Sequence, residues 1–314
     1  MNTQQIYDKI TETIIEMLES HKENNFSESW ISLTGDSFLA KNAVSKHVYS
    51  GINQLLLNYY VQKFNYSFNS WMTFKQLSGL NAKIRKGSKA AFVVFKSVMY
   101  FDAKTNKNIT KFVEYLIKNN ESLEGLDLKK VGYMKGYNVF NISQIENLPD
   151  EYYKHIELEE LTEFEKNENA EKLINNTGAD IVYLPQNRAF YNHLEDKIYL
   201  PLRKQFTNTE SFINVTAHEL GHWSGHSTRL NRPMGNAFGS KEYGFEELIS
   251  EINAAFLCAT LGVENKITDN VDYINSWLQV MKNDKQFVVQ AASQAQKAAD
   301  YILAFSEVKE KVVA

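Results

Sequence analysis

The sequence predicts an α+β fold in two parts. A mixed α/β domain is expected over residues 1–150, a connector over 151–166, and a mostly helical domain with a small sheet over 167–314. Three observations carry this. A length of 314 residues with 43% hydrophobic side chains suits two domains with sizeable cores. The charge changes character along the chain: residues 1–36 hold two basic and seven acidic side chains, Ser37 to Phe101 hold nine basic and none acidic, and the remainder holds 23 and 31. Two thirds of the way along, Ala217-His218-Glu219-Leu220-Gly221-His222-Trp223 puts two histidines four apart in a helical context, directly after a group of short strands.

In chain order, Ile6, Ile10, Ile14 and Leu18 recur every fourth residue and predict an amphipathic helix over 3–21. Ser50-Gly51-Ile52-Asn53 opens a second helix, buried through Leu55, Leu56, Leu57 and Tyr59. Trp71 to Leu77 reads as the start of a short helix, Lys83 to Lys89 as a basic turn, and Ala90 to Phe101 as a buried strand. Asp102 to Asn120 reads as a polar hairpin extension, and Val131 to Phe140 as a strand pair turning at Gly132 and Gly136. Past an acidic connector, Ala170 to Asn176 is helical and Gly178 closes it. Ile181–Leu184, Ala189–Tyr191 and Lys197–Leu200 then read as strands, the last stopped by Pro201. Tyr243 to Cys258 reads as a helix with the apolar stripe Leu248, Ile252, Ala255 and Phe256.

The single cysteine, Cys258, excludes an internal disulfide framework, and the opening residues lack a secretory pattern. No apolar run reaches the length of a membrane span, so a soluble, cytoplasmic protein without a membrane partner is expected. Thirteen aromatics interleave with the nine cations of the acid-free segment. Sequence-tolerant binding of single-stranded nucleic acid combines a cationic groove with aromatic platforms for the bases. Cations often only solvate a face and aromatics often only fill a core, but ordinary surfaces mix both signs of charge. Lys83, Arg85, Lys86 and Lys89 are the candidate phosphate contacts, and Tyr49 and Trp71 the candidate stacking groups.

His218 and His222 offer two imidazoles to one ion, and zinc takes neutral imidazole readily, with manganese or cobalt as alternatives. Glu219 sits beside that ion as a general base. A third histidine ten residues after the first is ruled out by Thr228, and His226 is too far along the helix to join His218. The third ligand is then sought on the second helix, where Glu247 and Glu251 share a face. A carboxylate buried in that stripe needs a partner. One of the two would ligate while the other orients a histidine, unless both pair with Arg229 or Arg232. Cys258 reads as a small buried residue rather than a ligand.

His218 to His226, Arg229-Leu230-Asn231-Arg232, Tyr243, Glu246-Glu247-Leu248 and Ala255 to Cys258 resemble the zincin-like domain of ArdC-type antirestriction proteins. Asn42-Ala43, Tyr49, Gly51-Ile52-Asn53, Trp71, Thr73, Lys75-Gln76 and Arg85-Lys86-Gly87 resemble that family's single-stranded-DNA-binding domain, as do Val139-Phe140-Asn141 and Leu148-Pro149. The resemblance implies a protein of a conjugative element that binds single-stranded DNA and protects it from host restriction; the intact Glu219 adds the hypothesis of a peptidase whose substrate is a host restriction or defence protein. It makes His218 and His222 ligands and Glu219 the base, and favours Glu251, followed two residues later by Asn253, as third ligand. It adds Asn53 and Lys75 to the DNA contacts. Ser50 stands where the family has a basic residue, and Val44-Ser45-Lys46-His47 departs from the usual Thr-Gly-Arg, which moves one phosphate contact to Lys46. Two other functions fit the residues: a DNA-binding protein whose metal only stabilises the fold, and a primase accessory.

Overall fold

Asn2 starts the first helix with a reciprocal cap: its side chain accepts from the Gln5 amide at 2.9 Å, while Gln5 accepts from the Asn2 amide at 2.8 Å. In the computed structural model, which describes residues 1–24, 29–32, 38–153, 163–235, 237, 239–268 and 270–306, this helix, α1, spans Thr3–Glu23. It buries Ile6, Ile10, Ile14 and Leu18, as the four-residue spacing predicts. The elements that follow are β1 (Ser29–Ile31), β2 (Lys41–Asn42), α2 (Ile52–Phe64), β3 (Ser70–Thr73), α3 (Phe74–Ser78), β4 (Lys83–Ile84) and β5 (Ala91–Asp102). Next come α4 (Thr110–Lys118), β6 (Leu128–Asn141) and β7 (Ile145–Glu146). Most of the acidic connector lies outside the described residues.

The N-terminal half is built on a four-stranded sheet in the order β2-β3-β6-β5. β5 and β6 pair from Ala91↔Val139 to Asp102↔Leu128, a hairpin buried only at its base. Three expectations are corrected here. Trp71 lies in β3 rather than a helix, because Thr73 caps the helix and so delays its start to Phe74. Residues 102–120 are not a bare extension, since they contain α4, which buries Val113 and Leu116. Gly132 and Gly136 lie within the single strand β6 rather than at turns. Gly136 is needed for close approach: a Cβ there would stand 2.2 Å from the Phe92 ring.

The second half contains α5 (Glu163–Asn176), β8 (Asp180–Leu184), β9 (Phe190–Asn192), β10 (Lys197–Pro201), α6 (Thr209–Ser224), α7 (Lys241–Leu261), β11 (Asn265–Lys266), α8 (Val271–Asn283) and α9 (Phe287–Leu303). Its sheet runs β8-β10-β9, with β10 parallel to β8 and antiparallel to β9, so β9 is an edge. α6, α7 and α9 pack on one another. The main core does not stop between the halves. α1 packs on α8 and α9 as well as α2, and β1 pairs with β11. Among the described residues no helix is long and apolar enough to cross a membrane.

Candidate metal centre and nucleic-acid interface

The metal helix α6 starts at Asn208, whose side chain accepts from the Ser211 amide at 2.8 Å. Gly221 lets α7 come close. A Cβ there would meet Ser250 Cα and Asn253 Nδ2 at 3.0 Å each. Asn253 Nδ2 also donates to the Ala217 carbonyl at 2.9 Å, tying α7 to α6. With the helices so joined, His218 Nε2 and His222 Nε2 face each other at 3.2 Å. Glu247 completes the group, its two oxygens 3.5 Å from His218 Nε2 and 3.6 Å from His222 Nε2. One ligand atom from each of the three residues lies within 4.8 Å of the others.

The carboxylate drawn into this group is that of Glu247, whereas Glu251 is the one expected from the sequence. The Glu251 carboxylate lies 3.8 Å from His218 Nδ1, the other ring nitrogen, where it can orient the imidazole. The alternative, in which both glutamates pair with Arg229 or Arg232, finds these arginines engaged elsewhere. Arg229 pairs with Asp196 instead, and Arg232 with Glu246. His226 stays away from the centre, with Thr228 Oγ1 2.9 Å from its Nδ1.

Burial works against charge at His218, but the hydrogen bond it donates to Glu247 and the negative charges of Glu251, Glu219 and Glu247 overcome it and push its pKa up to about 10. Glu247 moves the opposite way. Burial would raise it, yet His218, His222 and Tyr243 hold it down to about 2. Glu219 is raised, because burial outweighs the two histidines. It is 6% exposed, and its Oε2 has no hydrogen-bond partner among the described residues. Two imidazole nitrogens, a carboxylate and an unpartnered buried carboxylate oxygen beside them form a donor set that fits a divalent ion with one open side.

Five residues around the centre take roles that the sequence did not assign to them. His222 Nδ1 has Ser250 Oγ at 2.9 Å and Glu246 Oε1 at 3.3 Å. Arg232, itself buried, grips Glu246 through Nε at 2.9 Å and Nη2 at 2.6 Å. The Tyr243 hydroxyl is 2.9 Å from that of Tyr273, and its pKa is raised by burial, this hydrogen bond and the charge of Glu247. The available signal was the four-residue spacing: Tyr243 precedes Glu247 by one turn, and Glu246 precedes Ser250. A groove passes the centre in two lobes of about 970 and 590 Å³, both lined by Ala189, His218, Glu219 and Glu251. Phe190 and Tyr191 of the edge strand β9 line the second lobe.

The residues expected to touch DNA divide. Trp71 is fully buried, and its indole donates to Asn69 Oδ1 at 3.1 Å, so no base can stack on it. Asn53 is also committed to the fold. It donates to the Val94 carbonyl and accepts from the Val94 amide, both at 2.8 Å, serving as a one-residue partner for the open edge of β5. Lys46, Lys75, Lys83, Arg85, Lys86 and Lys89 are exposed, and Arg85 lies 3.8 Å from Glu146. Tyr49 is half-buried in a cleft between the hairpin base and α9 that none of those six cations lines.

Residues 4–140 match the N-terminal domain of anti-restriction factor ArdC, and residues 168–294 match the zincin-like metallopeptidase family MPTase-PolyVal. The fold is similar to crystal structures of the antirestriction protein ArdC from plasmid R388. The metal-free form is 30% identical, with a TM-score of 0.72 over 95% of this chain and 97% of that one. The Mn(II)-bound form is 29% identical, with a TM-score of 0.71 over the same shares. A DNA primase TraC of Escherichia coli is 30% identical across 96% of this chain, which spans only 27% of that primase. The uncharacterized protein y4eC of Sinorhizobium fredii is 29% identical across 95% of this chain and 91% of its own length. Both halves match in order, and a relative 30% identical is covered almost end to end. The chain belongs to the family of ArdC-type antirestriction proteins.

Proposed function

We propose that this protein binds single-stranded DNA of a mobile element and protects it from host restriction, with a zinc-dependent peptidase site acting on a host restriction or defence protein. The observation that carries the enzymatic part is Glu219, a carboxylate buried beside the ligand group with one oxygen unpartnered. A purely structural metal site has no use for such a group, whereas hydrolysis needs a base there. His218, His222 and Glu247 would hold the ion, with Glu251, Ser250 and Glu246 holding the imidazoles in register. Bound zinc, or manganese or cobalt in its place, supplies Lewis acidity toward a peptide carbonyl and its attacking water. Glu219 takes the proton from that water and returns it to the departing amine. The edge strand β9 offers its backbone to an extended peptide by strand addition.

A second reading, DNA binding or primase support with a structural metal, is favoured by the naming of TraC relatives as DNA primases. Glu219→Ala separates the two. On the peptidase reading the variant keeps its metal and its DNA affinity but no longer protects incoming DNA in a conjugation assay. Undiminished protection by the variant sinks the peptidase and leaves the second reading.

A further inference from the structure

We propose that single-stranded DNA lies in the cleft between the β5–β6 hairpin and α9, so that the last helix of the zincin-like half supplies one wall of the DNA site. The inference rests on the DNA-binding reading above and says where that binding occurs.

The cleft has a volume of about 1060 Å³, and among the described residues no aspartate or glutamate lines it. In a chain of net charge -4 that is an unusual surface. The metal groove differs sharply, being lined by Glu210, Glu219, Glu251 and Glu264, which repel phosphate. The hairpin side of the cleft presents Phe95 at 51% and Tyr137 at 44% exposure, with Tyr49 behind them. Large aromatics left open beside a cationic groove are the platforms on which unpaired bases stack. Lys96 on β5 and Lys297 on α9 also line the cleft and provide the phosphate contacts.

α9 turns a polar stripe to the same space. Gln286, Gln290 and Gln294 recur every fourth residue, with Lys297 following. Amide side chains donate and accept at once, which suits base edges of any identity. The start of α2 bridges the two walls: on the α9 side, Gln296 Oε1 accepts from the Gly51 amide at 2.9 Å. Asn53 holds β5 at Val94, directly beside Phe95. The basic turn at Lys83 to Lys89 offers cations, but none of its residues lines this cleft.

The test is fluorescence anisotropy of a labelled oligothymidylate with the full-length protein. Three variants are compared: Phe95→Ala/Tyr137→Ala on the hairpin, Gln290→Ala/Gln294→Ala/Lys297→Glu on α9, and Lys83→Glu/Arg85→Glu/Lys86→Glu on the turn. Thermal melts check that each stays folded. Loss of stacking or phosphate contact should raise Kd about tenfold or more in both the hairpin and the α9 variants. Weakening confined to the hairpin variant overturns the role of α9. Unchanged affinity in both cleft variants, with loss in the turn variant, overturns the cleft while the DNA reading stands. Failure of the wild-type protein to bind removes both.

Discussion

Both halves of the molecule bury polar side chains, but the buried groups point in different directions. In the N-terminal half the buried amides close on the backbone and on one another. Gln54 accepts from the Ala40 amide at 2.9 Å and donates to the carbonyls of Ala40 at 3.0 Å and Tyr49 at 2.6 Å. Asn141 donates to the Phe68 carbonyl at 2.6 Å, and Gln144 to that of Lys89 at 2.9 Å. Each braces a loop that has no sheet partner of its own. Around α6 and α7 the buried groups converge on one another instead: His218, His222 and Glu247 face a common point, and a Glu219 oxygen is left over. Polar groups that bond outward to backbone are scaffold, while groups that converge with capacity unspent mark a site.

The strongest way to break this comparison is to remove the converging carboxylates one at a time. Glu247→Ala should cost about a hundredfold or more in metal affinity, since a ligand is lost outright. Glu251→Ala should cost less, about 10- to 100-fold, because it only orients His218. Chelator competition on the purified variants ranks them. The reverse order would restore Glu251 as the ligand.

Next in size is Arg232, whose guanidinium neutralises the buried Glu246 against His222. Arg232→Ala strands that carboxylate in the interior and should destabilise the fold by about 3–5 kcal/mol. Urea unfolding measures it, and a loss well below that range would mean that Glu246 reaches water. Gln54→Ala is the matched change in the other half. It takes their side-chain partner from the Ala40 amide and the Tyr49 carbonyl, leaving the Ala40 carbonyl with the Tyr49 amide, and should cost about 1–3 kcal/mol in the same assay, with metal content unaltered. Metal loss in Gln54→Ala would deny that the two halves bury polar groups for separate ends.

The same contrast explains what could be read from the sequence. His218, Glu219 and His222 were legible because one helix sets their geometry locally. Glu247 and Glu251 were legible as a pair but not as a choice. Both lie on one face of α7, and the crossing of α7 over Gly221, a tertiary fact, decides which meets the imidazoles. Trp71 and Asn53 misled for a related reason. Whether an aromatic is platform or core, and whether an amide is free, depends on partners distant in sequence; for Asn53 that partner is Val94, 41 residues on. The helix α4 was missed although Phe112, Val113, Tyr115, Leu116 and Ile117 make it largely apolar, because this short run sits within a polar stretch and buries only Val113 and Leu116.

The smallest effect expected concerns the link between the end of the metal helix and the edge strand. Arg229 pairs with Asp196, with Nη1 3.0 Å from Oδ2, and the Tyr191 hydroxyl donates to the same carboxylate at 2.7 Å. The Arg229 hydrogen bond holds Asp196 below the usual carboxylate range, against the opposing pull of burial. A carboxylate with a depressed folded pKa contributes stability above its unfolded value and loses it as pH falls through the folded value. The contribution should therefore be intact near neutrality and fade only below about pH 4. Because Asp196 keeps 36% of its side-chain surface exposed, solvent screens the pair and the effect should be modest. Melting temperatures of wild type and Asp196→Asn should converge as pH is lowered through that window and stay apart above it. If the gap persists at the acid end, the pair acts through hydrogen-bond geometry rather than charge, and the edge strand is held by Tyr191 and Arg229 without help from the ionised carboxylate.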